Sequence, residues 1–368
     1  MGRARPTVAE PLPDSERIAE ASHRTGRARG RTGQRARSRD VGQTGSAYPV
    51  TGVGTSCVSV PTARLSVVRT LFRTKALVPV GLLGRSCFMT SAAWSTHAIE
   101  LKPHSVIKRF RRGSREECAR EWRALNLLSA YAPGLAPAPQ SADLAAEEPI
   151  VVMSRLPGEP LRGQLLSEQQ LKALAVATSQ MYAAVPADAL VKIPVRPGQQ
   201  HELIAKIRAW TPRARPHVST EVGKAMDRGL DWLARSGFEQ VASPDIPQVF
   251  GPGDGNLANY LWDGSRVRVV DFEESGLSDR PFELAEITEH VASWVDQPLD
   301  VEMFLDQFDL SATERARLLA CRRLLALVWL FLLSFDDPQR PRNPPGTAER
   351  QAARLSKLLG RGRRALQG

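Results

Sequence analysis

The chain has 368 residues, 42% of them hydrophobic, and a formal net charge of +11. That length suits about two domains with a sizeable core, while four cysteines without CxxC spacing and six scattered histidines exclude a zinc or disulfide framework. No secretory signal peptide or internal repeat is visible, so a cytoplasmic protein is expected, and the positive excess, concentrated at the two ends, attracts anions without naming a partner.

Residues 1–88 stand apart. Arg24 to Arg39 alternates arginine with glycine, alanine, threonine and serine, leaving almost nothing apolar to bury. Such a composition cannot offset the entropy of ordering, and disorder is expected. Three readings compete. The segment is a basic arm for nucleic acid or an acidic surface; or an organellar transit peptide, against which Glu10, Asp14, Glu16 and Glu20 count; or a translated upstream region, with the native start at Met89. The last is preferred, because Met89 leads directly into a short predicted strand pair, Ile99 to Leu101 and Val106 to Phe110.

On the second strand Val106, Lys108 and Phe110 share one face. Glu116 to Leu128 reads as an amphipathic helix, with Glu121 on the inward face of Leu125 and Leu128. A carboxylate on such a face needs a partner, and Lys108 is the natural one; Glu117, one turn earlier, is the reserve. Ala132 to Gln140, rich in proline and alanine, reads as a linker. Pro149 to Met153 is a predicted buried strand, left through a turn at Ser154 to Gly158. Helices are predicted over Ser167 to Tyr182, capped by Ser167, then His201 to Trp210 and Thr220 to Ser236.

The most informative stretch is 250–279, FGPGDGNLANYLWDGSRVRVVDFEESGLSD. Asp263-Gly264 marks a tight hairpin turn. Tyr260 to Trp262 and Arg266 to Val270 are its strands, with Arg266 and Arg268 on one face and Val267 and Val269 on the other. Closing the hairpin carries Asn259 and Asp271 to one end, with Asp254 on the loop just before it. Oxygen donors of that kind suit Mg²⁺ together with phosphate, and D-x-x-x-x-N followed by a strand and V-V-D-F-E matches the loops of phosphoryl-transfer enzymes. Beyond it, Ser311 to Phe335 holds an apolar run, Leu324 to Leu333, too short to span a bilayer and flanked by Arg322 and Arg323. A buried core helix is expected there, and a basic surface helix over Ala348 to Leu366.

Residues 249–290 resemble the core of the aminoglycoside phosphotransferase family, a branch of the kinase-like fold that includes choline and other small-molecule kinases. Its pattern, H-G-D-x-x-x-x-N, a strand pair, I-D-F/W-E and G-D-x-x-x-D-L-A, is met by Pro252-Gly253-Asp254, Asn259, Val270-Asp271-Phe272-Glu273, Ser278-Asp279 and Phe282-Glu283-Leu284-Ala285. Pro252 and Glu283 depart from it, standing where the family has His and Asp. The resemblance implies an α+β, two-lobed protein-kinase-like fold: a small, truncated β-rich N-lobe over 89–155 that binds nucleotide, and a larger, mainly helical C-lobe over 156–368.

It also implies an ATP-dependent (or GTP-dependent) phosphotransferase acting on a hydroxyl of a small molecule. Asp254 would be the catalytic base, and Asn259 and Asp271 would hold Mg²⁺. Lys108, held by Glu121, would touch the nucleotide phosphates, and Met153, Ser154 and Arg155 would meet the adenine. Gly52-Val-Gly54 and Gly81-Leu-Leu-Gly84 are poor candidates for a phosphate-covering loop. The acidic run Glu273, Glu274, Asp279, Glu283, Glu286 and Glu289 reads first as an ordinary helix face and second as a receptor for a cationic amine. A catalytically weak or inactive nucleotide-binding or interaction module is the alternative to an enzyme. Neither a membrane nor a specific nucleic acid is expected as partner.

Overall fold

Short β-type runs at the beginning of the described chain build a sheet, and long apolar stripes after it build a helical body. The computed structural model describes residues 97–238, 246–337, 339 and 341–364; the N-terminal extension, Met89 and both glycine pairs considered for a phosphate-covering loop lie outside them. β1 (Ala98–Leu101), β2 (Ser105–Arg109), β3 (Pro139–Asp143) and β4 (Ile150–Ser154) form one antiparallel sheet in the order β1-β2-β4-β3. Helix α1 (Arg115–Tyr131) packs on β3 and β4. Its buried residues Glu117, Cys118, Glu121, Ala124, Leu125 and Leu128 recur at helical spacing, so the inward face is the one the sequence pattern gives.

Of the segment predicted as a linker, Ala132 to Ala138 is turn and irregular chain, while its last two residues, Pro139 and Gln140, open β3. Pro139 begins that strand at the sheet edge, where a missing N–H costs little, and the register slips between Pro139 and Ser141. The stretch carries no period-2 apolar signal, and its strand character comes from pairing with the strongly apolar β4.

After β5 (Glu159–Pro160) the chain becomes helical. α2 (Glu168–Ala184) opens with a capping box between Ser167 and Gln170, and α3 (Ala187–Leu190), α4 (Gln200–Ala214) and α5 (Thr220–Arg235) follow. β6 (Gln248–Gly251) leads to the hairpin β7 (Tyr260–Trp262) and β8 (Val267–Val269), after which β9 (Gly276–Asp279) pairs antiparallel with β6. Val267 and Val269 are buried as the alternation requires, and β5 extends the hairpin sheet on the β7 side.

α6 (Arg280–Glu289), α7 (Val301–Leu305), α8 (Ala312–Ser334) and α9 (Thr347–Arg364) complete the described chain. From Leu324 to Phe331 every residue of α8 is buried, because α4, α5, α6 and α9 all pack against it. Among the described residues no helix is long and apolar enough to cross a membrane. α9 differs from the surface helix expected: Gln351, Ala352, Leu355 and Leu358 are buried, and the helix packs on α5 and α8. Its many arginines masked an apolar stripe at i, i+3 and i+6 from Ala352.

Candidate active site

The two predicted parts of the site meet where α1 comes against the segment that follows β8. Lys108 lies on β2 with only 4% of its surface exposed. Its Nζ donates to Glu121 Oε2 at 2.9 Å and Asp271 Oδ1 at 2.7 Å, and pairs with Glu273 Oε2 at 2.8 Å. Burial works against the ammonium, but Asp271 and Glu121 outweigh it and hold the Lys108 pKa well above the usual lysine range. Glu121 also accepts from the Phe272 main-chain N–H at 2.8 Å. One carboxylate therefore ties β2, α1 and the segment after β8 together. Glu117, the reserve partner, faces His97 Nε2 at 3.0 Å instead.

The second half is the loop between β6 and β7. Asp254 Oδ1 accepts from the Asn256 N–H at 2.9 Å, and Oδ2 from the Asn259 side-chain amide at 3.0 Å. The Asn259 carbonyl accepts from Val270 N–H at 2.9 Å, which sets Asn259 beside Asp271 across the hairpin end. Asp271 has φ 72°, the one non-glycine residue among those described in the left-handed region. Strain of this kind persists only where the surroundings over-determine it, and here the bond from Lys108 fixes the side chain. Among the described residues no three His, Cys, Asp or Glu side chains gather as a metal-binding group. The hairpin end offers one carboxylate and one carboxamide, which is the short list of hard oxygen donors a phosphate-bound Mg²⁺ takes.

Other predicted positions fall elsewhere. Met153 is buried at the end of β4, the Ser154 N–H donates to the Ala138 carbonyl at 2.8 Å, and the Arg155 N–H to the His104 carbonyl at 3.0 Å. Both of these main-chain donors are spent inside the sheet, so this strand end has only limited means of reading a base edge. Glu273 turns toward Lys108 and His97; burial raises its carboxyl, and Lys108 overcomes this to leave it below the usual range.

Glu274 is buried and its carboxyl is pushed well up by desolvation. Asp279 caps α6 through the Phe282 N–H at 2.9 Å and pairs with Arg317 at 2.5 Å. Glu283 and Glu286 meet Arg196, and Glu289 meets Arg322 and Arg354. Most of the acidic run is thus paired inside the core and is not an open anionic face, because α6 is buried from Pro281 to Glu289. The sequence pattern gave no hint of this, since the arginines that answer it lie up to 90 residues away.

Two residues near Asp254 escaped the sequence reading. His290, at the end of α6, points Nε2 at Asp254 Oδ1 over 3.5 Å while its Nδ1 accepts from the Ala292 N–H at 3.1 Å. The second is Arg196. A lone arginine between two prolines carries no motif, and only the fold reveals its position.

The loop is held so closely that its glycines are obligatory. A Cβ on Gly255 would overlap the Glu286 carbonyl and the following nitrogen on α6. Gly255→Ala is expected to destabilise the protein by about 3 kcal/mol or more, the range for backbone-on-backbone overlap in a core, visible as a drop in Tm. Glu286 supplies a pH test. Burial pushes its carboxyl up to about 8, from an ordinary 4.5, and Arg196 only partly offsets this because it is shared with Glu283. The folded state therefore keeps a proton that the unfolded chain releases, so this group erodes stability as pH rises from about 4.5 to about 8. Glu286→Gln is expected to flatten that slope in melting curves taken across the window.

Comparison with known proteins bears on the fold and the family. No curated protein matches the chain. Among solved structures, a choline/ethanolamine kinase family protein from Mesorhizobium loti aligns with TM-score 0.51 and 18% identity over 72% of this chain and 85% of that one, a likeness of fold. Choline kinase LicA from Streptococcus pneumoniae aligns with TM-score 0.48 and 16% identity over 80% and 96%. A microcompartment-associated aminopropanol kinase aligns with TM-score 0.47 and 18% identity over 74% and 93%. The family model described as the phosphotransferase enzyme family (APH) matches residues 94–320, more than half of the chain. With its α+β, two-lobed kinase-like fold, the chain belongs to the APH phosphotransferase enzyme family and is a small-molecule kinase of that type.

Proposed function

We propose that the protein transfers the γ-phosphoryl group of ATP to a hydroxyl of a small molecule, with GTP the other candidate donor. One observation carries the reading: the continuous chain of contacts from Asp254 through Asn259 and the hairpin end to Asp271, Lys108 and Glu121. It supports reading Asp254 as the acceptor-side carboxylate and Lys108 as the phosphate-side ammonium of one connected framework.

In this reading residues 89–155 bind nucleotide and 156–368 supply the catalytic loop and hairpin. Lys108 meets the nucleotide phosphates and Glu121 keeps it pointed. Asn259 and Asp271 are the residues that would hold Mg²⁺; three carboxylates around one ammonium leave local negative charge that suits a divalent cation. When bound, the cation neutralises charge on the β- and γ-phosphates. Asp254 accepts a hydrogen bond from the acceptor hydroxyl. An ordinary carboxylate is too weak to ionise an alcohol in the ground state, so its role is to orient the hydroxyl and take the proton late, as a loose transition state collapses.

Met153 to Arg155 contribute apolar contact to the adenine more than main-chain bonds. Cationic amino alcohols remain the first acceptor class to try, although the internal pairing of Glu283, Glu286, Glu289 and Asp279 leaves Glu273 and Glu274 as the only members of the acidic run on the hairpin side. The site of action is the cytoplasm, where the nucleotide is abundant. A panel of choline, ethanolamine, aminopropanol and aminoglycosides, each with Mg·ATP or Mg·GTP, tests the reading by release of nucleoside diphosphate. Acceptor-stimulated release with one member is expected. No nucleoside diphosphate from any pairing, in a protein that binds neither nucleotide, would overturn it.

A further inference from the structure

We propose that Arg196 is a positioning residue for phosphoryl transfer, aiming Asp254 by fixing the peptide that leads into it. The inference rests on the reading of Asp254 given above. Arg196 sits on the connection between α3 and α4, which adds itself to the edge of β9: Leu277 N–H donates to Pro194 O at 2.9 Å and Arg196 N–H to Leu277 O at 3.1 Å. The side chain runs from there beneath the loop and is 2% exposed. One terminal nitrogen donates to Glu283 Oε1 at 2.8 Å; the other donates to the Gly253 carbonyl at 2.8 Å and to Glu286 Oε1 at 2.9 Å. The Nε donates to Pro197 O at 3.1 Å, and the guanidinium lies over the Phe282 ring.

The Gly253 carbonyl belongs to the amide whose nitrogen is that of Asp254. Glu283 Oε2 holds the amide on the other side of the same glycine, accepting from the Gly253 N–H at 3.2 Å. Arg196 and Glu283, themselves bonded, thus grip the two peptide planes flanking Gly253. That residue has φ 81°, a conformation glycine adopts freely and that needs outside restraint to stay single. Only a planar fork with five donors reaches all of these acceptors together; the point charge of a lysine does not. Arg196 touches no reacting atom. Its effect passes through the backbone into the direction of the Asp254 carboxylate.

Five proteins test this: the wild type, Arg196→Lys, Arg196→Met combined with Glu283→Leu and Glu286→Leu, Asp254→Ala, and Asp254→Ala with Arg196→Lys. The triple apolar variant replaces the arginine and both acids bonded to it, so it removes the grip and leaves no orphan charge in the core, a replacement that buried ion triads tolerate. Turnover is read as nucleoside diphosphate released from Mg·ATP with the best acceptor of the panel, or water if none serves. Folding is read by Tm and nucleotide affinity by calorimetry with Mg·ATP. In both Arg196 variants turnover is expected to fall by about 10–100-fold, the scale of an ångström-level misplacement, while Mg·ATP affinity stays within about threefold.

In the Asp254→Ala background, Arg196→Lys is expected to cost less than about threefold, because the residue it aims is gone. Wild-type turnover in a folded Arg196 variant overturns the proposal, as does an undiminished loss in the Asp254→Ala background. Full turnover of Asp254→Ala by itself instead overturns the assignment of Asp254, which separates the two failures.

Discussion

Asp254→Ala is expected to lower turnover by roughly 10²–10⁴-fold, equivalent to about 3–5 kcal/mol of barrier. The carboxylate already accepts from Asn256 and Asn259, one donor on each oxygen, with His290 Nε2 3.5 Å from Oδ1, so its two oxygens are fixed before any acceptor arrives. Removing it takes away the group that would orient the hydroxyl, while the phosphate-side contacts proposed for Lys108 are left intact. The loss should therefore fall on kcat, with Mg·ATP affinity nearly unchanged in calorimetry. Asp254→Asn, which keeps the shape and gives up the charge, should fall in the same range. Unaltered steady-state turnover in either variant would remove Asp254 from the chemistry.

The second large effect is on the other side of the hairpin. Asp271→Ala is expected to weaken Mg²⁺-dependent nucleotide binding by about 10²-fold or more, some 3 kcal/mol, because the variant loses the carboxylate among the cation's two proposed protein donors. Alanine at φ 72° adds backbone strain, so Asp271→Asn is the companion variant: asparagine tolerates the left-handed region and still gives up the charge. Both are expected to fail to bind Mg·ATP at concentrations that saturate the wild type. Calorimetry that returns wild-type affinity for the asparagine variant would contradict the assignment of Asp271. The two experiments divide the site cleanly, since one moves kcat and the other moves affinity.

Much of this site was legible because its parts are either close in sequence or forced together by a simple physical need. The hairpin signal at Asp263-Gly264 was enough to bring Asn259 beside Asp271. An acid on the apolar face of α1 had to find a cation, and Lys108 was the nearest on a strand; the 2.9 Å contact follows from that need. The family resemblance supplied the two-lobed fold that local patterns could not.

What stayed hidden depends on distant chain. β3 has no pattern of its own and exists as a partner of β4. The acids of α6 looked like a surface because their arginine partners come from other elements: the α3–α4 connection, α8 and α9. Arg196 and His290 were missed for the same reason.

If Lys108 meets the nucleotide phosphates as proposed, its crowding governs how they dock. Three carboxylates already share one ammonium that is almost sealed from water. An arriving phosphate cannot simply add to that cation; it must displace an acid that is bonded there. Docking is then an exchange of one anion for another, with little net electrostatic gain at the lysine itself. The displaced carboxylate would need a new positive partner as the phosphate arrives, and a divalent cation held by Asn259 and Asp271 as proposed would supply it. Nucleotide and metal should therefore enter as a single unit, each making room for the other.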